Sequence, residues 1–214
     1  MRIIFVRHGH PDYATDCLTE LGHSQAAAVG IRLKNEGIKT IYSSTMGRAM
    51  QTAEHIAKEI GYPSEEITRL DFMREIEWDF TGPWEASEDL ISKGKSTMIS
   101  GWDSKGPYAK DRIVGFLRDR ADGFDSLLET LGYKREGIYY RVNAENNETI
   151  AVVSHAGTST GVLARLFNLP VPFLFDALRP HLTAVTVVLF KGNTGELISP
   201  RFEIANNSHH VPGI

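Results

Sequence analysis

Met1-Arg2-Ile3-Ile4-Phe5-Val6-Arg7-His8-Gly9-His10-Pro11 is the stretch whose reading decides the fold. Ile3 to Val6 form an unbroken apolar run closed by Gly9 and Pro11, which predicts a strand buried on both faces, as in the middle of a parallel sheet. Ligands of open α/β sheets gather at the carboxyl ends of such strands. Arg7, His8 and Gly9 are therefore expected in a crevice. Arg supplies a planar cationic fork for phosphate or carboxylate, His a nitrogen that attacks or carries protons, and Gly lets the backbone approach a ligand. The trio alone fits a surface ion pair equally well, so the rest of the chain must decide.

A second run repeats the pattern. Thr149 to Val153 reads as another buried strand, and it delivers Ser154-His155-Ala156-Gly157 before a helix from Thr158 to Phe167, stopped by Asn168 and Pro170. Between the two runs, Ala26, Val29 and Leu33 recur at helical spacing after Thr19, a predicted N-cap, with Gly37 expected to close the helix. Thr40 to Tyr42 predicts a strand, and the hydroxyls of Ser43, Ser44 and Thr45 are expected to cap a helix from Met46 to Ile60. Arg48 falls in the first turn of that helix, where the macrodipole favours anions. It fits either a bound anion at the helix N-terminus or an exposed pair with Glu54.

From Ile67 to Ala86 acids and aromatics mix without period, as in a loop over a site, and Glu88 to Pro107 reads as a flexible insertion. Lys110 to Leu131 carries the longest helical stripe, with Ile113, Leu117, Ala121, Phe124 and Leu128. Ile138 to Val142 predicts a strand, Leu182 to Phe190 and Leu197 to Ile204 an edge hairpin around Gly192 to Gly195, and Asn206 to Ile214 a loose tail with His209 and His210.

The 214 residues suit one α/β domain over 1–214, with a cap insertion expected at about 80–135. A 42% apolar fraction and a net charge of −4 give no footprint for nucleic acid or a membrane surface, so an anionic substrate needs a local cluster of cations. Cys17 is the single cysteine, which excludes an intrachain disulfide and any cysteine-based zinc site. Without a signal-length apolar segment, a cytoplasmic protein is expected.

The blocks V-R-H-G at 6–9, L-T-E-L-G-H-S-Q-A at 18–26, S-S-T-M-G-R-A-M-Q-T-A at 43–53, M-R-E-I-E-W-D at 73–79 with G-P-W-E at 82–85, and S-H-A-G at 154–157 together resemble the histidine phosphatase superfamily, also called phosphoglycerate mutase-like. The resemblance implies a three-layer α/β/α sandwich with a mostly parallel central sheet. It implies a pocket in which Arg7, Arg48 and His155, with Gly9 and Ala156, hold a phosphate that His8 attacks, and it puts Glu75 at the proton donor's position. Glu77 and Glu85 compete for that role. No metal or other cofactor is implied; the expected partner is a small phosphate ester or a phosphoprotein.

Elementary electrostatics agree with this assignment. Two guanidiniums and a protonated His155 match a phosphate dianion and the charge that spreads over its oxygens in the transition state. His8 must be neutral to attack, and neighbouring cations favour that form.

The sequence also departs from the pattern. Many relatives carry an acid after Gly9 and an asparagine five positions past it; His10 and Ala14 stand there, leaving His10 or Tyr13 as candidate phosphate contacts and Tyr13, Asp16 or Cys17 to replace the amide. The string Asn-Glu-Arg-His-Tyr-Gly of the mutases is missing, which favours a phosphatase over a mutase-type phosphotransferase. Trp78, Trp84, Trp102 and Tyr108 are expected to pack a cap rather than touch substrate, and Arg179 and His181 to approach the crevice. Two readings stay open beside the phosphatase: a metal-dependent hydrolase using His8 and His10, and a non-catalytic module that binds a phosphorylated ligand.

Overall fold

The computed structural model describes residues 1–77, 84, 87, 101–104, 106–109 and 111–211. The opening apolar run is strand β1 (Arg2–Arg7). Successive side chains on a strand face opposite ways, and here both faces are covered: Ile3 and Phe5 enter one core, Ile4 and Val6 the other. The first core is completed by helix α3 (Asp111–Thr130) through Ile113, Leu117, Phe124 and Leu128, and by helix α4 (Ala156–Phe167) through Val162, Leu163 and Leu166. The second is completed by helices α1 (Glu20–Leu33) and α2 (Gly47–Ile60) through Val29, Leu33, Ala53 and Ile56. The result is the expected α/β/α sandwich.

With β2 (Pro11–Asp12), β3 (Cys17–Leu18), β4 (Ile38–Ser44), β5 (Thr68–Leu70), β6 (Tyr133–Glu136), β7 (Tyr139–Val142), β8 (Thr149–Ser154), β9 (Val185–Leu189), β10 (Leu197–Ile198) and β11 (Arg201–Asn207), the strand order of the main sheet is β11-β9-β1-β8-β4-β5. β1, β8, β4 and β5 are parallel, while β9 and β11 run antiparallel at one edge. β1 and β8 pair directly, with Arg7 opposite Ser154. The next residues on the two strands are His8 and His155, so the register sets both histidines side by side.

Several local expectations change. Thr19 does cap α1, its hydroxyl accepting from Gly22 N at 3.1 Å, but the helix ends at Leu33, and Gly37 instead takes a positive φ of 68° ahead of β4. Helix α2 has Met46 at its N-cap position and no side-chain cap, while the Ser44 hydroxyl accepts from Met46 N at 3.3 Å and lies 2.8 Å from His155 Nε2. Within the expected loop after Ile67, β5 joins the sheet beside β4. Leu197 and Ile198 leave the expected edge hairpin to pair with β7 in a separate sheet, and β11 alone pairs with β9. Val171–Ala177 forms helix α5, missed because Pro170 and Pro172 read as breakers, although proline suits a helix's first turn.

The tail is tied down rather than loose. Asn206 and Asn207 belong to β11, Ser208 and Val211 are buried, and His210 Nε2 lies 3.2 Å from Thr183 Oγ1. Most of the expected insertion at 88–107, together with Trp78 and Glu85, lies outside the described residues.

Candidate active site

His8 follows β1 and stays in the sheet's ladder, its N–H donating to Ser154 O at 3.0 Å. The imidazole is almost wholly buried. Nδ1 lies 2.7 Å from the Gly9 carbonyl, an acceptor only, so Nδ1 carries the proton and Nε2 keeps its lone pair. Toward Nε2 points Arg48 Nε, at 3.3 Å. Burial first, then the Arg7 and Arg48 guanidiniums, push the His8 pKa down to about 3, which leaves the ring neutral at ordinary pH. A buried neutral imidazole with a fixed tautomer and a cation beside its free nitrogen has the form a nucleophile toward phosphorus requires.

Arg48 is itself buried in the first turn of α2. It pairs with Asp16, not with the Glu54 one turn on, and lies 5.4 Å from the ring centre of Tyr13. Arg7 donates from Nη1 to Pro180 O at 2.6 Å, and its buried Nε has no hydrogen-bond partner among the described residues. The backbone on either side of that carbonyl is tied to Asn206, whose Oδ1 accepts from His181 N and whose Nδ2 donates to Arg179 O, and the Arg179 guanidinium lies 3.8 Å from Asp176.

His155 ends β8 and is fully buried, its ring centre 5.1 Å from that of His8. Nε2 lies 2.8 Å from Ser44 Oγ, and Nδ1 has no partner among the described residues. Its pKa lies well below 6.5, first through burial and then through His8, Arg48, Arg7 and Arg74. Burial first and the neighbouring cations second favour the neutral ring, whereas the protonated His155 expected from the sequence is matched to a phosphate dianion.

Glu75 lies against the N-terminus of α4. Its carboxylate accepts from Gly157 N at 3.2 Å, Thr158 N at 2.9 Å, Thr158 Oγ1 at 3.2 Å and Ile76 N at 3.0 Å. Negative charge at a helix N-terminus is favoured. The approach needs the glycine of the S-H-A-G block, because a Cβ at Gly157 would stand 2.8 Å from Glu75 Oε1. The backbone around Glu75 is held too: Thr158 Oγ1 donates to Arg74 O at 2.7 Å, and Ser154 Oγ to Met73 O at 2.8 Å. Glu77 instead pairs with Arg112 at an exposed position.

Other expectations land elsewhere. Gly9 permits a close backbone crossing, since a Cβ there would meet Gly22 O at 2.6 Å. His10 turns its Nδ1 to Thr19 Oγ1 at 3.0 Å, on the exposed side of the α1 cap, while His8 Nε2 faces a guanidinium. This pairing does not make the two rings a chelate, and no group of three potential ligands is assembled among the described residues. Cys17 Sγ points to Thr15 O. Trp84 packs edge-on against Phe175 and Trp102 against Tyr108, as packing residues do. The sequence reading missed the roles of Ser44, Thr158 and Thr183. Ser44 and Thr158 stand inside or beside the S-S-T and S-H-A-G blocks; Thr183 has no such signal, yet its N–H donates to His8 O at 3.3 Å.

Two histidines thus stand at neighbouring parallel strand ends of an α/β/α scaffold, with the guanidiniums of Arg7 and Arg48 beside them and a carboxylate on the N-terminus of α4. The chain belongs to the histidine phosphatase superfamily (branch 1), whose family model matches residues 3–201. Over 80 residues, 34% of this chain and 28% of the relative, it is 42% identical to a mitochondrial serine/threonine-protein phosphatase of Drosophila ananassae. Over 92 residues, 37% of this chain and 45% of the relative, it is 35% identical to a 2,3-bisphosphoglycerate-dependent phosphoglycerate mutase of Brucella ovis. The matches thus span less than half the length of these curated relatives. Among solved structures, phosphoserine phosphatase of Entamoeba histolytica in complex with 3-phosphoglyceric acid matches with a TM-score of 0.69 at 21% identity, covering 98% of both chains. Mycobacterial glucosyl-3-phosphoglycerate phosphatase matches with a TM-score of 0.67 at 22% identity, covering 96% of this chain and 98% of that one. No helix among the described residues is long and apolar enough to cross a membrane.

Proposed function

We propose that this protein hydrolyses small phosphate monoesters through a phosphohistidine on His8, with residues 1–214 acting as one catalytic unit and the segment at about 80–135 as its cap. The observation that carries the reading is the state of His8: neutral, with Nδ1–H held by the Gly9 carbonyl and the Nε2 lone pair directed at Arg48 Nε, the guanidinium that would also meet a phosphoryl oxygen. In the first step Nε2 attacks phosphorus, the bond from phosphorus to the ester oxygen breaks, and the leaving alkoxide takes a proton from the Glu75 carboxyl. In the second, water attacks the phosphohistidine, Glu75 takes the proton back, and the nitrogen–phosphorus bond breaks to release inorganic phosphate. Arg7, Arg48 and His155, with the backbone at Gly9 and Ala156, hold the equatorial oxygens. Burial and then the neighbouring cations keep His155 neutral, and a dianion offsets the cations, so a proton on His155 accompanies substrate rather than preceding it.

The related Entamoeba enzyme's complex with 3-phosphoglyceric acid supports a small ester as substrate. The Brucella mutase supports phosphoryl transfer back to a second hydroxyl as the other reading. The test is hydrolysis of p-nitrophenyl phosphate, with acid-labile phosphate label on the protein, in wild type and His8→Ala. Turnover and label are both expected in wild type and absent from the variant; full turnover in the variant would sink the mechanism. Conversion of 3- to 2-phosphoglycerate without phosphate release would favour the mutase reading.

A further inference from the structure

Asp16 is an acid inside an anion site. Its carboxylate takes Arg48 Nη1 with one oxygen and the N–H of Gly47, the first residue of α2, with the other at 2.7 Å. The helix offers no side-chain cap of its own. A guanidinium fork and a helix N-terminal N–H are what a phosphoryl oxygen would seek at this place. The guanidinium is 6% exposed and the Asp16 side chain 39%, so it is the acid that meets solvent above the cation.

We propose that Asp16 is a displaceable internal anion that competes with the phosphoryl group for Arg48 and for the N-terminus of α2, and so weakens the hold on inorganic phosphate. The inference rests on the phosphatase reading of the pocket. Like charges cannot share one guanidinium without repulsion in a partly buried site. An ester has further contacts through its organic group to offset that repulsion; inorganic phosphate has none. Asp16 returning to Arg48 thus favours release of the product.

The local backbone permits this exchange. Asp16 lies at the tip of the β2–β3 hairpin with a φ of 54°, in the left-handed region that Asp, Asn and Gly tolerate. The hairpin is anchored at its base by the pairing of Pro11 with Leu18 and of Asp12 with Cys17, and by Leu18 N donating to Gln51 Oε1 at 2.6 Å. Its tip is open to solvent, Tyr13 being 71% exposed. The carboxylate can withdraw while the base stays in place.

Two variants test the idea while keeping the backbone conformation. Asp16→Asn removes the charge and keeps the shape. Asp16→Gly removes the side chain, so that no new amide donor can account for the result. Inorganic phosphate, titrated calorimetrically into the full chain, is expected to bind both variants about tenfold more tightly than wild type, the size that like-charge repulsion across a few ångströms predicts at an intermediate dielectric. Product inhibition of p-nitrophenyl phosphate hydrolysis is expected to strengthen in step. Unchanged or weaker phosphate binding in both variants overturns the proposal and makes Asp16 a positioning residue for Arg48. Calorimetry needs no turnover: failure of hydrolysis with tighter binding counts against the phosphatase reading alone, while hydrolysis with unchanged binding counts against Asp16 alone.

Discussion

The ends of β1 and β8 look alike in sequence and differ in what their histidines face. Each apolar strand delivers a histidine to the same crevice, and the parallel register sets the two rings 5.1 Å apart between centres. His8 meets a backbone carbonyl on one nitrogen and a guanidinium on the other. Among the described residues His155 hydrogen-bonds a serine hydroxyl, which can donate or accept. A carbonyl fixes one tautomer; a hydroxyl permits either, and permits the charged form. The first ring is therefore held in one tautomer, and the second is free of that constraint, as the proposed roles of nucleophile and phosphate contact require.

The sharpest way to break this comparison is to exchange the losses. His8→Ala is expected to remove p-nitrophenyl phosphate hydrolysis and protein labelling altogether, whereas His155→Ala keeps labelling and slows turnover by about 10²–10³, the usual cost of one transition-state donor. Label retained in the first and lost from the second would reverse the assignment. Next in size, Glu75→Gln should lower kcat by about 10²–10⁴ with an activated aryl ester suffering least, since a good leaving group needs little protonation. Equal losses on aryl and alkyl esters would argue that Glu75 only braces the first turn of α4.

A smaller effect is expected from Ser44→Ala, which removes the hydroxyl 2.8 Å from His155 Nε2. Turnover should fall about tenfold or less, consistent with one buried hydrogen bond, while label on His8 forms normally in a rapid-quench measurement. The last prediction concerns stability. His8 has a folded pKa of about 3 against an ordinary 6.5, and His155 is lowered as well, so between these values the unfolded chain binds protons that the folded chain does not. Stability is then flat above about pH 6.5 and falls as pH drops below it, by up to about 1.4 kcal/mol per pH unit for each ring. Denaturant melts at pH 7 and 5 should show this slope, and His8→Ala should reduce it; a slope unaffected by His8→Ala would mean the ring is not buried neutral.

Much of the scaffold was legible because its signals are local. Four apolar residues in a row need cover on both faces, which is enough to place β1 and β8 inside a sandwich, and the stripe from Ile113 to Leu128 is enough to lay α3 on it. The short elements were not legible. β5 has three residues and lies at the sheet edge, and β10 has two and is stabilised only by pairing with a distant strand. The tail was misread for the same reason: its polarity says nothing of Thr183, which receives His210 from across the fold.

Local pattern was enough to bring two histidines and two arginines to strand ends and a helix start, because the period of a strand and the punctuation of Gly and Pro are written in neighbouring residues, whereas Glu75 stood in an aperiodic stretch and was marked by family resemblance alone. Only the tertiary structure decided what each polar atom faces: the Gly9 carbonyl at His8 Nδ1, the first turn of α4 at Glu75, and Asp16 upon Arg48. Those partners come from segments far apart in the chain, brought together by register and packing, and a hydrogen bond or a pKa depends on a few tenths of an ångström that no local pattern encodes.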